Sequence, residues 1–218
     1  NDIKKIFFTI LPTEFLSILL NFYSKTPKFK RIFNCLNKVQ ISFNDKNPID
    51  NEIALSFLNQ KKTLSFPIQW NSNKYSQLWR FNLHYFDWGR EFLEIKLKTG
   101  KWTYDSKFLE ILIDDWINNN RLGIGDGWHS YTISLRIRNW ILLFRICPEL
   151  NNQFRVDSLW QQICWLYLNK EDYIGGNHWL ENLISLIVGS LQFEGGKAKE
   201  IFRFSLKELE KELLHQLL

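Results

Sequence analysis

The 218-residue chain lacks several residue types and patterns that mark common protein classes. It has no methionine, and its three cysteines, Cys35, Cys147 and Cys164, have no CxxC spacing. We therefore predict buried, small apolar cysteines and neither a disulfide framework nor a zinc site. No apolar run reaches the roughly 18 residues that a bilayer-spanning helix needs, and no nucleotide-binding glycine loop or HExxH motif occurs. These absences predict a protein with no membrane span, no metal and no cofactor.

Aromatic residues, in contrast, are abundant. The chain has 10 tryptophans, 18 phenylalanines and 7 tyrosines. Because a buried indole N–H needs a hydrogen-bond partner, we expect some of these rings to line a groove. The net charge of +5 favours an acidic partner, but no dense block of lysine and arginine indicates nucleic acid. An ordinary solvated surface also explains a charge of this size.

The spacing of apolar residues divides the chain into two parts. Residues 1–64 are predicted to form an N-terminal helical and irregular segment, and residues 65–218 a helical domain. Glycine and proline punctuation places the helix boundaries, and one extended edge segment is expected around Pro67. The predicted helices span 78–98, 105–119, 131–146, 153–169, 178–194 and 197–217, and the extended segment spans 64–70. The predicted fold class is all-α.

These helices pair into hairpins whose openings recur about every 50 residues, a spacing typical of solenoids and closed α/α toroids. Each opening mixes aromatic rings with Asn, His or Arg. In a toroid, successive hairpin openings lie at the same end of the bundle, so we expect these side chains to converge on one mouth. The candidate site residues are Trp79, Asn82, His84, Tyr85, Trp128, Tyr131, Arg136, Asn177 and His178.

The chemistry of two of these positions suits an anionic ligand. Arg136 has the side chain that binds a carboxylate through two parallel hydrogen bonds, although an internal ion pair would also use it. Asn177 precedes an apolar helical run, where free N–H groups and the partial positive charge of a helix start favour anions. The alternative is that Asn177 only caps the helix.

The three openings together resemble a known family. LWRFNLHYFDW, GW-x2-Y-x3-LRI-x-NW and GNHWLEN occur in the order found in the α/α-toroid domain of the heparinase II/III-like polysaccharide lyases, over about residues 65–218. The similarity is closest to members found with bacterial cell-surface polysaccharide genes. It implies β-elimination on a uronic-acid-containing acidic polysaccharide or oligosaccharide. It also implies that Asn177 neutralises the substrate carboxylate with His178 beside it, while the other candidates line the sugar groove.

The resemblance is partial, because the chain stops at HQLL. The family's tyrosine acid/base and second histidine follow that point, as does its C-terminal β-sandwich. We therefore expect an incomplete α/α toroid of helical hairpins with little lyase activity by itself. An apolar face left open at its C-terminal end would favour self-association. Family members are commonly exported, which implies a periplasmic or secreted protein, although no signal peptide is visible in this chain.

Three alternatives remain open at this level. One is a non-catalytic carbohydrate-binding or surface-polysaccharide assembly protein. Another is an α/α-toroid glycoside hydrolase, which would need two carboxylates across a cleft; Asp87, Asp126 and Glu181 are available, but their spacing nominates no pair. The third is a helical scaffold without a ligand.

Overall fold

The computed structural model describes residues 52–90 and 106–217, and most of these residues are helical. The predictions for residues 1–51 and 91–105, Cys35 among them, lie outside this part of the chain. The strands are β1 (Glu52–Phe57) and β2 (Gln60–Ser65), and the helices are α1 (Gln77–Tyr85), α2 (Ser106–Asn119), α3 (Ser130–Ile146), α4 (Gln153–Leu168), α5 (Gly176–Ser190) and α6 (Gly196–Leu217). Short 3-10 turns, Asp126–Trp128 and Pro148–Leu150, precede α3 and α4.

The structure is mostly helical, as predicted, and adds a small two-stranded antiparallel sheet that was not predicted. Alternation along β1 turns Ile53 and Leu55 inward, and Leu64 of β2 lies opposite Ile53. Leu58 and Asn59 form the connection with φ values of 55° and 60°, a left-handed pair typical of two-residue hairpin turns. The predicted extended segment therefore starts too late in the chain, because pairing begins at residue 52.

The strands and helices share one hydrophobic core. The backbone N–H of Ile68 and the indole N–H of Trp70 both donate to Asp115 Oδ2, at 3.1 and 2.7 Å, which fixes the segment after β2 against α2. The indole of Trp79 on α1 donates to the carbonyl of Gln60 at 3.2 Å. The predicted boundary between residues 64 and 65 falls inside β2, so the strands bridge the two predicted segments.

The first predicted helix, 78–98, is interrupted. Helix α1 ends at Tyr85, Phe86 adopts a left-handed conformation with φ of 61°, and residues 87–90 are helical again. Asn139 Nδ2 donates to the Tyr85 carbonyl at 2.8 Å, which satisfies a backbone acceptor that the helix end leaves without an intrahelical partner. A contact from α3, which is far from this segment in the sequence, thus stabilises the break.

The helices predicted after residue 105 are confirmed. Asn152 caps α4 by accepting a hydrogen bond from the backbone N–H of Arg155 at 2.9 Å. The largest difference is at α5, which starts at Gly176 and ends at Ser190, earlier at both ends than the predicted 178–194. Of the described cysteines, Cys147 is buried, Cys164 is half-buried, and both are free thiols.

Contacts along α1, α3 and α5 show that these helices run in the same direction. On α1, Arg80 pairs with Asp126 just before α3, while the Tyr85 carbonyl lies against Asn139 in the second half of α3. On α5, His178 packs on Tyr131 at the start of α3, and Ser185 donates to the Ser134 carbonyl further along. The three helices therefore begin at the same end of the molecule.

Helix α4 runs in the opposite direction to α3. Ser130 at the start of α3 donates to the Asn169 carbonyl after the end of α4, and Arg136 contacts Gln162 earlier in α4. The connection between α4 and α5 therefore lies at the same end of the molecule as the starts of α3 and α5. This placement brings a loop residue, Glu171, to the side chains that open these helices.

Candidate functional site

A group of polar and aromatic side chains lies where α3 and α5 begin. We call it the rim cluster, and its members are Tyr85, His129, Tyr131, Glu171 and His178. The Tyr131 ring lies 4.5 Å from the His178 ring and 6.1 Å from the Tyr85 ring, measured between centroids. Two of the cluster's side chains, those of His129 and His178, remain 47% and 41% exposed, so the cluster is accessible to solvent.

Glu171 is the acidic centre of the rim cluster. Its side chain is only 3% exposed, and Oε1 lies 3.3 Å from His178 Nδ1 and 3.8 Å from His129 Nε2. The first distance allows a hydrogen bond and the second an ion pair. A nearly buried carboxylate therefore faces two imidazoles from different elements.

Asn182 on α5 fixes this carboxylate. Its Oδ1 accepts the backbone N–H of Glu171 at 2.8 Å, which determines the orientation of the amide. Its Nδ2 donates to Glu171 Oε2 at 3.4 Å and to Ser134 Oγ at 3.1 Å. These contacts hold Glu171 by both its backbone and its side chain. Asn182 itself is fully buried, so water does not compete for its hydrogen bonds.

The two tyrosines of the rim cluster stay protonated at neutral pH. Burial, with smaller contributions from Tyr131 and Asp87, raises the pKa of Tyr85 to about 12. Burial also raises the pKa of Tyr131, and the nearby carboxylate of Glu181 adds to the effect. Both hydroxyls are therefore hydrogen-bond or proton donors, and neither supplies a phenolate base.

The start of α5 presents Asn177 openly. Gly175 is the N-cap residue, with no side-chain cap, so Asn177 lies inside the first turn and is exposed. This position removes the alternative in which Asn177 is the N-cap. Gly175 and Gly176 have φ values of 68° and 56°, and no atom lies within 4 Å of where their Cβ atoms would be. A ligand can therefore approach the backbone closely here.

Other predicted site residues lie in the core, which corrects their assignment to a sugar groove. Trp79 and His84 are fully buried, and Trp128 is 7% exposed with its indole donating to the Asn120 carbonyl. The Trp79 indole donates to Gln60, as described above. The rings of Trp79, His84 and Trp128 thus fill the interior of the protein.

Arg136 departs most clearly from its predicted place in the groove. It is fully buried, and its Nε donates to Gln162 Oε1 at 2.8 Å. Its two terminal nitrogens donate to the carbonyls of Gly127 at 2.8 Å and His84 at 3.3 Å. The guanidinium also stacks 3.9 Å from the Trp116 ring centroid. Its N–H groups therefore donate to acceptors inside the protein, and the side chain is not accessible to a substrate carboxylate.

Of the remaining predicted site residues, Tyr85 and Tyr131 belong to the rim cluster and Asn82 does not. Asn82 lies on α1 and donates to the Leu78 carbonyl at 2.8 Å, a contact within its own helix. Arg138, the basic residue two positions after Arg136 on α3, forms an ion pair with Glu181 on α5. This pair lies beside Tyr131 and connects α3 to α5.

Glu171 is the site residue that the sequence did not reveal. It lies in a loop without apolar periodicity, and its partners come from two separate places in the chain, His129 before α3 and the first half of α5. His129 was visible as part of the GWHSY opening but carried no assigned role. The only local signal for Glu171 is its position seven residues before His178, which is too general to identify a pair.

The chain was compared with known proteins, and no family model, curated protein or solved structure matches it. Within residues 52–90 and 106–217, no group of three or more His, Cys, Asp or Glu side chains is arranged to hold a metal ion. In the same residues, no helix combines the length and apolarity needed to cross a bilayer.

Proposed function

We propose that the protein binds the uronic-acid units of an acidic polysaccharide at the rim cluster and acts as a lyase of the heparinase II/III-like type. The observation that carries this proposal is the exposed Asn177 beside a half-exposed His178 at the start of α5. A carboxylate bound there meets an amide donor, an imidazole and the partial positive charge of the helix start. The net charge of +5 adds long-range attraction for a polyanion.

In the proposed reaction, Asn177 neutralises the substrate carboxylate, which lowers the cost of the carbanion that forms when the adjacent proton is removed. His178 lies next to it as a proton acceptor. Tyr131, with its hydroxyl kept protonated by burial, is a donor within the same cluster. Trp79, His84, Trp128 and Arg136 take no part, because they are enclosed in the core.

The finer architecture is also a proposal. We propose that α1, α3 and α5, which are parallel and pack in succession, are the inner helices of an α/α toroid. Helices α2 and α4, which pack against each other, are then outer helices. In that arrangement the starts of the inner helices form the mouth, and the rim cluster lines part of it.

Binding without turnover is the second candidate function. The exposed Asn177 and the half-exposed His178 suffice for it, because recognising a carboxylate needs no proton transfer. The same surface would then recognise the polysaccharide in transport or assembly. The ultraviolet absorbance of an unsaturated uronate product separates the two candidates: its appearance supports the lyase, and binding without it supports the second.

Calorimetric titration with uronate oligosaccharides tests the site. We expect Asn177→Ala to weaken binding about tenfold or more, because it removes a hydrogen bond to a charged group. The matched control is Asn118→Ala, which changes an exposed asparagine on α2. Equal affinities for the two variants, or equal binding of neutral oligosaccharides by the unaltered protein, would remove the proposal.

A further inference from the structure

The orientation of His178 follows from its buried neighbour. Its Nδ1 lies 3.3 Å from Glu171 Oε1, and a carboxylate only accepts hydrogen bonds. The Nδ1 atom must therefore carry the proton of the neutral ring. Within the described residues Nε2 has no protein partner, and the ring is 41% exposed. The nitrogen with the free lone pair is the one available to a ligand.

We propose that Glu171 is a positioning residue that holds His178 in the Nδ1–H tautomer, so that Nε2 accepts a proton from the bound substrate. The substrate part of this inference rests on the proposed function, and the tautomer part does not. In the reaction, Nε2 gains the substrate proton and the electron pair of the broken C–H bond forms the new C=C double bond. The glycosidic C–O bond breaks with its electron pair on oxygen, and that oxygen takes the hydroxyl proton of Tyr131. The imidazolium that forms is stabilised by the Glu171 carboxylate.

Asn182 makes the arrangement directional. Because its Oδ1 accepts the Glu171 backbone N–H, its Nδ2 must face Glu171 Oε2. In a Glu171→Gln variant, the amide oxygen will occupy the Oε2 position, where a donor faces it. The amide NH2 will then occupy the Oε1 position and point at His178 Nδ1. Nδ1 becomes an acceptor, and the proton of His178 moves to Nε2.

His129 is a second imidazole on the same carboxylate oxygen, at 3.8 Å. This distance exceeds that of a hydrogen bond, and the His129 ring also packs 5.4 Å from the Phe81 ring. Glu171 therefore orients His178 through a hydrogen bond, while its interaction with His129 is electrostatic and acts over a longer distance.

Nitrogen-15 NMR of the imidazole rings at alkaline pH tests the inference without substrate. The chain has four histidines, so their signals can be assigned individually. We expect His178 as Nδ1–H in the unaltered protein and as Nε2–H in Glu171→Gln. Asp172→Asn is the matched control, since it removes an exposed acidic group from the same loop, and it should leave His178 unchanged.

His84 provides an internal reference for folding. Its Nδ1 accepts the Trp116 indole N–H at 3.0 Å, so it must be the Nε2–H tautomer in every folded variant. If Glu171→Gln loses this signature, the variant has unfolded, and the unaltered protein alone decides the question. His178 as Nε2–H in the unaltered protein, or unchanged in a folded Glu171→Gln variant, would overturn the inference.

A kinetic measurement separates this inference from the proposed function. If the protein cleaves uronates, Glu171→Gln should lower kcat by about 100-fold or more, the typical contribution of a general base, with KM changed little. If it binds no uronate but the tautomer inverts as expected, the proposed function fails and the positioning role of Glu171 stands.

Discussion

The polar and aromatic side chains around α1 and those at the start of α5 belong to the same residue types but have opposite surroundings. Around α1, His84 and Arg136 are fully enclosed: Arg136 donates to two backbone carbonyls and one side-chain amide, and His84 Nδ1 accepts the Trp116 indole N–H. At the start of α5, Asn177 and His178 remain accessible. Residue type alone therefore does not distinguish an enclosed polar network from an accessible polar cluster; the tertiary packing around the side chains does.

The largest test of this difference is a comparison of two arginines on α3. Arg136→Ala should lower the free energy of unfolding by about 3 kcal/mol or more, because it leaves a cavity and several buried acceptors without a donor. Arg138→Ala removes only a partly exposed ion pair with Glu181 and should cost about 1 kcal/mol or less. Urea unfolding measures both. Similar losses for the two variants would contradict the enclosed role of Arg136.

Two glycines test the same comparison between the enclosed region around His84 and the open start of α5, because they differ in the room available for an added Cβ atom. A Cβ on Gly127 would lie 2.8 Å from His84 Nδ1, inside a packed core, so Gly127→Ala should destabilise by about 1–3 kcal/mol. A Cβ on Gly176 meets nothing within 4 Å, and Gly176→Ala adds only the strain of a positive φ, about 1 kcal/mol. Denaturant midpoints compare them, and a larger loss for Gly176→Ala would argue against a tight fit around His84.

The smallest expected effect is a pH dependence from His84. Burial, and secondly the positive charge of Arg136, lowers the pKa of His84 well below its usual 6.5. The unfolded chain therefore takes up a proton below about pH 6.5 that the native state excludes. Stability should fall with decreasing pH in that range, by up to about 1.4 kcal/mol per pH unit from this group.

His84→Gln isolates this contribution, because a glutamine oxygen still accepts the Trp116 indole and does not titrate. Urea unfolding of both proteins between pH 7.5 and 5.5, values chosen as about one unit on either side of 6.5, gives the two slopes. The unaltered protein should show the steeper loss. Parallel curves would mean that His84 takes up its proton equally in both states, which is incompatible with its enclosure.

The helices after residue 105 could be predicted because their apolar residues recur at helical spacing and glycines or Pro148 separate them. The strand pair could not, since Leu58 and Asn59 form its turn in place of the usual glycine-containing pairs. The break after α1 gave no signal either. Phe86 adopts a conformation that its residue type disfavours, and Asn139 from another helix stabilises it.

The exposure of the candidate site residues was predictable only where it follows from local sequence. Asn177 and His178 open a helix after two glycines and are accessible, as expected. Trp79 and Arg136 were expected at a groove, and their enclosure depends on acceptors far along the chain, Gln60 and Gln162. Glu171 was missed for the same reason, because a tertiary contact creates its role.

The hydrogen bond between the Trp79 indole and the Gln60 carbonyl makes the small sheet part of the same folding unit as the helices. Phe57 at the end of β1 also packs against Trp79, with 5.0 Å between ring centroids. Deleting the strands would expose the Trp79 indole to solvent and remove the acceptor of its N–H. The shortened chain would therefore have an exposed apolar aromatic surface. The strands thus cover Trp79, and we expect their removal to favour aggregation.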